Sequence, residues 1–146
     1  VRIIEGDSDA VGNVVIETEW PNDLPNVSVD GDQIRQVLWN IILNGLQAMN
    51  GSGTLTVRIQ PESSEYVSLD ITDTGGGIPQ EELSRVFEPF HTTKPRGTGL
   101  GLAIARRIIQ GHDGSIQIKS RVGEGTTVSI SLPTDNVNAL TESTPR

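Results

Sequence analysis

The chain has 146 residues, which is the length of a single domain. It contains no cysteine and only two histidines, so disulfides and cysteine nucleophiles are excluded and a structural zinc site is disfavoured. Eleven basic and nineteen acidic residues give a net charge of −8, which opposes non-specific binding to nucleic acid or to an anionic membrane surface.

The predicted elements begin with a strand over residues 13–19, which ends at Trp20. A helix follows, with Asp30 or Asp32 as its N-cap and a stop at Asn50. Apolar residues cover most of its circumference, which predicts that it is buried. The remaining elements are predicted as strands over 54–60 and 66–72, a short helix near 80–86, a helix over 99–109, and strands over 115–120 and 126–132.

The alternation of these strands determines the predicted architecture. Each strand has one apolar face, and strands in neighbouring hairpins need helices on that face only. The sequence therefore predicts an α/β fold. It is a two-layer sandwich, in which a mixed, mostly antiparallel sheet of about five strands is covered on one face by about three helices.

Asp73 lies where a strand with one apolar face meets a glycine-rich turn. Val67, Leu69 and Ile71 are predicted to face the core, and the two-residue period places Asp73 on the same face. A buried carboxylate is costly unless it is hydrogen-bonded. Because residues 75–77 are all glycine, the backbone can come close to a ligand. The pattern fits either a ligand-binding carboxylate or an aspartate that caps its own turn.

Two amides, Asn40 and Asn44, lie one turn apart on a helix that is otherwise mostly apolar. Gln33, Gln36 and Gln47 continue the same strip. Amide groups supply oxygen ligands to a hard cation and hydrogen-bond donors to phosphate. A solvated polar stripe would produce the same pattern, so both interpretations stay open.

A second glycine-rich segment opens the helix predicted over 99–109. It reads Gly97, Thr98, Gly99, Leu100, Gly101, Leu102. Glycines at a helix start allow backbone N–H groups to approach phosphate. The G-x-G-x-G spacing, with no strand leading directly into it, disfavours a dinucleotide-binding Rossmann site, and the Walker A pattern is absent.

Residues 87–96 precede the second glycine-rich segment. Phe87 and Phe90 can anchor a loop on the core, and Lys94 and Arg96 are suited to contact phosphate oxygens, although solvated charges would fit as well. Residues 91–107 hold four of the eleven basic residues and no acidic residue. One part of an acidic chain is therefore locally basic.

The order of these segments is far more specific than any one of them. Two asparagines on a helix, D-x-G-x-G after a strand, F-x-x-F, and G-x-G-x-G opening a helix resemble the nucleotide-binding domain of sensor histidine kinases. That domain has the Bergerat fold, which gyrase and mismatch-repair ATPases share. The resemblance covers residues 1–133, the expected ATP-binding catalytic domain, and leaves 134–146 as a polar tail that is expected to be disordered.

The resemblance implies ATP and Mg²⁺ as ligands. Asn44 matches the asparagine that holds Mg²⁺ on the phosphates, with Asn40 one turn earlier on the phosphate side. Asp73 matches the aspartate that reads the adenine amino group, and Thr127 matches a polar group near adenine. The other expected nucleotide contacts lie in the two glycine-rich segments and between them: Gly75, Gly77, Ile78, Lys94, Arg96, Gly97, Thr98, Gly99, Leu100, Gly101 and Leu102.

The implied reaction is phosphoryl transfer from MgATP to a histidine, with Asn40, Asn44 and Lys94 as the catalytic residues. Gyrase-type ATPases carry a glutamate that activates water where this chain has Asn40, so hydrolysis is expected to be slow. Many family members have a lysine three residues after the second asparagine, where this chain has Gln47. The phosphate charge is then expected to fall on Lys94, Arg96 and Mg²⁺.

The chain does not contain a recognisable phosphoacceptor histidine, and this suggests which partner domains to expect. Neither His91 nor His112 has the acidic, helical context of a phosphoacceptor hairpin, and the chain starts at Val1 without Met. We expect a dimerisation and phosphoacceptor domain upstream in a homodimeric parent, and a response regulator receiver domain as partner. The chain itself is expected to be a cytoplasmic monomer that phosphorylates only in trans, without nucleic acid or direct membrane contact.

Three alternatives come from other classes. A serine kinase of the anti-sigma type would share the asparagine and glycine segments, but Phe87 and Phe90 argue against it. A degenerate pseudokinase that acts only as an interaction module is disfavoured because every segment is intact, and nucleotide titration would separate it from an active kinase. A gyrase-type ATPase is disfavoured by Asn40.

Overall fold

The computed structural model describes residues 13–89 and 101–135. The elements are β1 (Asn13–Glu19), α1 (Gly31–Ala48), β2 (Ser52–Pro61), β3 (Tyr66–Asp73), α2 (Gln80–Leu83), α3 (Gly101–Gly111), β4 (Ser115–Arg121) and β5 (Gly125–Pro133). The order of strands and helices is as predicted. The short helix α2 ends earlier than expected, because the chain continues as turns, in which the N–H groups of Arg85 and Glu88 bond to carbonyls three residues earlier.

The five strands form one mixed sheet in the order β1-β2-β3-β5-β4. β1 and β2 are parallel, and the other three pairs are antiparallel. The predicted fold class is therefore confirmed. β3 is the central strand, and its last residue, Asp73, lies between Leu55 of β2 and Thr126 of β5.

The core lies between the inner face of the sheet and the helices α1 and α3. Its fully buried side chains include Val37, Ile42, Leu55, Val57, Ile109 and Ile130. α1 is less enclosed than its apolar circumference predicts, since Trp39 is 47% exposed. The physical reason is that, among the elements of the described residues, α1 packs mainly on α3 and on one face of the sheet, so Trp39 on its outer side is left uncovered by them.

The start of α1 is tied to the end of α3. Asp30 is the N-cap of α1, and its Oδ1 accepts hydrogen bonds from the N–H groups of Asp32 and Gln33 at 3.0 and 3.1 Å. The N–H of Asp30 donates to Nε2 of His112 at 3.0 Å, and Nδ1 of the same ring lies 2.8 Å from the carbonyl oxygen of Ile108. The two helices are thereby held side by side and antiparallel.

The packed fold continues past residue 133, where the tail is expected to begin. Thr134 is fully buried, its N–H donates to the carbonyl oxygen of Glu65 at 2.7 Å, and its hydroxyl donates to that of Ser64 at 2.9 Å. The rest of the predicted tail, 136–146, lies outside the described residues. None of the helices in the described part of the chain has the length and apolar character needed to cross a bilayer.

Candidate functional site

Asp73 is buried at the end of the central strand, where it is only 7% exposed. One carboxylate oxygen, Oδ1, accepts a hydrogen bond from the N–H of Gly75 at 2.8 Å. The other oxygen, Oδ2, faces α1, and a methyl group on Gly45 would lie 3.5 Å from it. The carboxylate therefore caps its own turn and also faces the helix that carries the two asparagines, so the two interpretations of Asp73 are compatible.

The glycine turn after Asp73 is held between α1 and the β4–β5 turn. On one side, the N–H of Gly76 lies 3.4 Å from the carbonyl oxygen of Ala48, and a Cβ on Gly75 would lie 2.7 Å from that oxygen. On the other side, Gly77 has a φ of +79° and is packed against the carbonyl of Arg121. The contacts with Ala48 and Arg121 leave no room for a Cβ atom, so only glycine fits at Gly75 and Gly77.

The two asparagines occupy the side of α1 that approaches the start of α3. Both are half-buried, whereas Gln33, Gln36 and Gln47 are exposed, as a solvated stripe would be. The Asn40 side chain donates from Nδ2 to the carbonyl oxygen of Gly101 at 3.4 Å.

This contact determines how the Asn40 amide is oriented. Since a carbonyl only accepts, the Asn40 amide must present its nitrogen to Gly101 and its oxygen away from it. Asn44 directly precedes Gly45, the residue that contacts Asp73. The fold thus brings Asp73, both asparagines and the first described residue of the second glycine-rich segment to one end of the molecule.

Thr127 does not share a face of the sheet with Asp73. Its hydroxyl lies 3.0 Å from that of Thr72, one residue before Asp73 and therefore on the opposite face. Thr126 is the residue paired directly with Asp73, and it is buried on the same face. Thr126 is therefore the hydroxyl beside Asp73, whereas Thr127, which is predicted to lie near adenine, is on the other face of the sheet. Alternation with Val128 along β5 could have identified Thr126.

Ser120 is a second buried hydroxyl that the sequence reasoning missed. Its Oγ accepts from the N–H of Ile78 at 2.7 Å and lies 2.8 Å from the carbonyl oxygen of Gly125 and 2.7 Å from Oγ1 of Thr126. The Ser120 carbonyl oxygen accepts from Nε2 of Gln80 at 2.9 Å. Ser120 follows Ile118 on the apolar face of β4, so the reasoning that selected Asp73 would also have selected it.

An open depression of about 900 Å³ borders the site at the β4 edge of the sheet. Its apolar wall includes Ile78, Leu83 and Ile118, and its polar wall includes Ser120 and Thr126. It meets the Asp73 region through Ile78 and Thr126, but Asp73 itself does not line it. A partly apolar wall beside a few polar groups is typical of a small-molecule site.

Several predicted site residues lie outside the described residues. They are Phe90, Lys94, Arg96, Gly97, Thr98, Gly99 and Leu100. Of the neighbouring residues that are described, Leu102 packs against the core, and the Arg106 guanidinium carbon lies 5.2 Å from the centre of the Phe87 ring. Arg106 is one of the four basic residues in the locally basic segment, and this contact is a cation–π pair.

The Asn44 side chain is of the chemical type that could hold a hard cation which keeps most of its water. Within residues 13–89 and 101–135, no three His, Cys, Asp or Glu side chains are grouped to hold a metal ion. Mg²⁺ usually takes only one or two protein ligands and completes its shell with water and phosphate oxygens. The carboxamide oxygen of Asn44 is a donor of the required type.

Solved structures of histidine kinase domains have the same fold. The nucleotide-free catalytic domain of histidine kinase ThkA is 31% identical, with a TM-score of 0.78 over 89% of this chain and 84% of that one. Full-length ShkA, solved in complex with AMPPNP, is 25% identical, with a TM-score of 0.73 over 87% of this chain and 27% of that one.

Curated relatives are sensor kinases of greater length. Sensor histidine kinase ZraS of Escherichia coli (strain K12) is 42% identical over 75% of this chain, and sporulation kinase E of Bacillus subtilis (strain 168) is 37% identical over 84%. The chain spans 23% and 17% of their respective lengths. Residues 29–136 match the family described as histidine kinase-, DNA gyrase B-, and HSP90-like ATPase, and the chain belongs to this family.

Proposed function

We propose that this chain is the cytoplasmic ATP-binding catalytic domain of a sensor histidine kinase. It binds MgATP and transfers the γ-phosphate to a histidine on a dimerisation and phosphoacceptor domain of a homodimeric parent. This transfer is the first step of signalling to a response regulator. The relatives named above support the proposal, since each is a sensor or sporulation kinase several times longer than this chain.

The observation that carries the proposal is the meeting of three groups at one end of the fold. The buried Asp73 carboxylate faces α1 at Gly45, Asn44 is the preceding residue of that helix, and Asn40 contacts the start of α3 at Gly101. A carboxylate suits an amino group, and amides suit a cation and phosphate. This arrangement provides one subsite for a base and another for phosphates.

Asp73, Asn44 and Asn40 each have a separate role in the proposed reaction. Asp73 accepts a hydrogen bond from the exocyclic amino group of adenine, which orients the nucleotide. Asn44 holds Mg²⁺ through its amide oxygen, and the ion supplies charge neutralisation at the phosphates. Asn40 has no basic oxygen that could take a proton from water, so the γ-phosphate is preserved for transfer rather than hydrolysed.

Nucleotide titration of the chain tests the site. Asp73→Ala should weaken MgATP binding by tenfold or more, as expected for the loss of a charged hydrogen-bond partner of about 1.5–3 kcal/mol. Asp70→Ala is the matched control, because Asp70 lies on the opposite face of the same strand and is paired with Arg58 and Ser129. Unchanged binding in Asp73→Ala would contradict the adenine assignment. Asn44→Ala should remove the dependence of binding on Mg²⁺.

A transfer assay with labelled ATP tests the reaction. Acid-labile phosphohistidine should form only when the parent's phosphoacceptor domain is added to the chain. Label that accumulates on the chain without an acceptor would contradict phosphorylation in trans. Release of inorganic phosphate as fast as transfer would instead favour a gyrase-type ATPase.

A further inference from the structure

The buried hydroxyl of Ser120 has three hydrogen-bond partners, and their chemistry determines where its proton lies. The partners are the N–H of Ile78 at 2.7 Å, the carbonyl oxygen of Gly125 at 2.8 Å and the hydroxyl of Thr126 at 2.7 Å. A serine hydroxyl has one proton to donate and two lone pairs to accept with. Three partners therefore use its full capacity.

Two of these partners leave no choice of direction. The N–H of Ile78 can only donate, and the carbonyl of Gly125 can only accept. The single proton of Ser120 therefore points to Gly125. The hydroxyl of Thr126 must then donate to Ser120, so its own proton points away from Asp73 and only its lone pairs remain for other groups.

Thr126 and Asp73 are neighbours on the same face of the sheet. They are directly paired across β3 and β5, both are buried, and Gly125 is packed against the backbone carbonyl of Asp73. Side chains in such a pair are about 5 Å apart at Cβ. With the Thr126 proton directed to Ser120, this end of the sheet presents a carboxylate and a hydroxyl oxygen, which are both acceptors.

Two adjacent acceptors require a ligand group with two donors. An exocyclic amino group has two N–H bonds and meets this requirement, whereas a carbonyl oxygen would bring a third set of lone pairs. We propose that Ser120 is a specificity-determining positioning residue, which orients the Thr126 hydroxyl so that the site selects 6-aminopurine over 6-oxopurine nucleotides. This inference rests on the proposed function, because it places the purine at Asp73.

The ratio of affinities for ATP and ITP tests the proposal, since the two bases differ only at position 6 and in the N1 proton. In Ser120→Ala, the Thr126 hydroxyl is free to turn and donate to a 6-oxo group. The preference of the wild-type chain for ATP should fall about tenfold, which corresponds to one reversed hydrogen bond. Ser129→Ala is the control, because Ser129 lies on the outer face of β5 between Asp70 and Gln117. The ratio of ATP to ITP affinity in this variant should equal that of the wild-type chain.

A second variant separates an orienting role from a merely structural one. Thr126→Val keeps the shape of the side chain and removes its hydroxyl, so adding Ser120→Ala to it should leave the ratio unchanged. If Ser120→Ala weakens both nucleotides equally, Ser120 only supports the loop and the proposal is overturned. If Ser120→Ala does not fold, Thr126→Val alone decides, because an unchanged ATP preference there would also overturn it.

The two levels of inference fail in distinguishable ways. ATP binding that survives Asp73→Ala would overturn the proposed function. A preference for ATP over ITP that is lost in Asp73→Ala but unchanged in Ser120→Ala would overturn the role of Ser120 and leave the proposed function standing.

Discussion

Gly45 of α1 lies directly against the side chain of Asp73 at the end of β3. A methyl group on Gly45 would lie 3.4 Å from Cβ and 3.5 Å from Oδ2 of Asp73, and 2.8 Å from a terminal methyl of Leu55. The helix therefore lies close against the sheet beside the carboxylate.

Replacing Gly45 by alanine should move α1 away from Asp73. The contact at 2.8 Å is shorter than side chains tolerate, but Leu55 ends in a flexible methyl group that can shift. We expect a loss of about 1–3 kcal/mol in the free energy of unfolding, as is typical of overpacking. MgATP affinity should fall more than stability alone explains, since the helix displacement acts on the site. Urea denaturation and nucleotide titration measure the two effects.

Gly111→Ala is the matched control for Gly45→Ala. Gly111 is the last residue of α3, and a methyl group there would meet no atom of the described residues within 4 Å. Its stability and nucleotide affinity should stay near the wild-type values. Equal MgATP affinity in Gly45→Ala and Gly111→Ala would show that the close approach of α1 is not needed for binding.

Substitution by alanine is expected to affect stability very differently at the adjacent glycines Gly76 and Gly77. An alanine at Gly77 needs a left-handed backbone, which costs roughly 1–2 kcal/mol, and its Cβ would overlap the carbonyl of Arg121. The Cβ of an alanine at Gly76 would meet no atom within 4 Å in the part of the chain that the structure describes. Thermal melting should therefore show a large loss of stability in Gly77→Ala and little in Gly76→Ala.

Nucleotide binding should follow the same order, because the turn that carries Gly77 also caps Asp73 through Gly75. The loss in Gly77→Ala should exceed 2 kcal/mol, which is above the average for point mutations. Similar melting temperatures for the two variants would contradict the packing of this turn against Arg121.

The features predictable from the sequence are those with a local cause. Strand alternation is local, and it correctly placed Asp73 on the inner face of β3. The N-cap of α1 also has a local cause. Asp30 is one of the two predicted N-caps, and its side chain bonds only to the first turn of the helix that follows it. The same local rule, applied to β4 and β5, would have selected Ser120 and Thr126.

The features missed depend on contacts between distant parts of the chain. The exposure of Trp39 depends on whether another part of the fold covers the outer side of α1, and the apolar pattern of the helix does not contain that information. The bond between His112 and Asp30 joins residues 82 positions apart.

His112 should stabilise the fold by joining the start of α1 to the end of α3. Since the N–H of Asp30 donates to Nε2, the proton of the neutral ring is on Nδ1, where it is donated to the carbonyl oxygen of Ile108. His112→Ala should cost about 1–2 kcal/mol of unfolding free energy, because two hydrogen bonds are lost and water replaces them in part. Urea denaturation gives the stability, and ¹⁵N NMR of the ring gives the tautomer.

Gln110→Ala is the control for His112→Ala, because Gln110 is exposed near the end of the same helix. Its stability should stay within about 0.5 kcal/mol of the wild type. An Nε2–H tautomer in the NMR spectrum would contradict the bond to Asp30, even if the stability loss were as expected.

Asn40→Asp tests the contact between α1 and the start of α3 without changing the size of the side chain. The substitution replaces the Nδ2 donor with an oxygen, which would face the carbonyl oxygen of Gly101 at the present 3.4 Å. Two acceptors repel, and the new negative charge also opposes phosphate. MgATP affinity should therefore fall about tenfold, which is about 1.4 kcal/mol, and ADP affinity should fall less because ADP carries less charge. Isothermal titration calorimetry measures both.

Gln36→Glu separates the effect of charge from that of the contact. Gln36 is exposed one turn before Asn40 on α1, so the variant adds the same charge without touching Gly101. Its nucleotide affinities should change by less than twofold, because exposed charges at this separation are screened. If Gln36→Glu weakens ATP as much as Asn40→Asp does, the effect is long-range electrostatics and the amide at Asn40 is not in the phosphate subsite. If neither variant weakens ATP binding, the prediction that the contact of the Asn40 amide with Gly101 supports nucleotide binding is wrong.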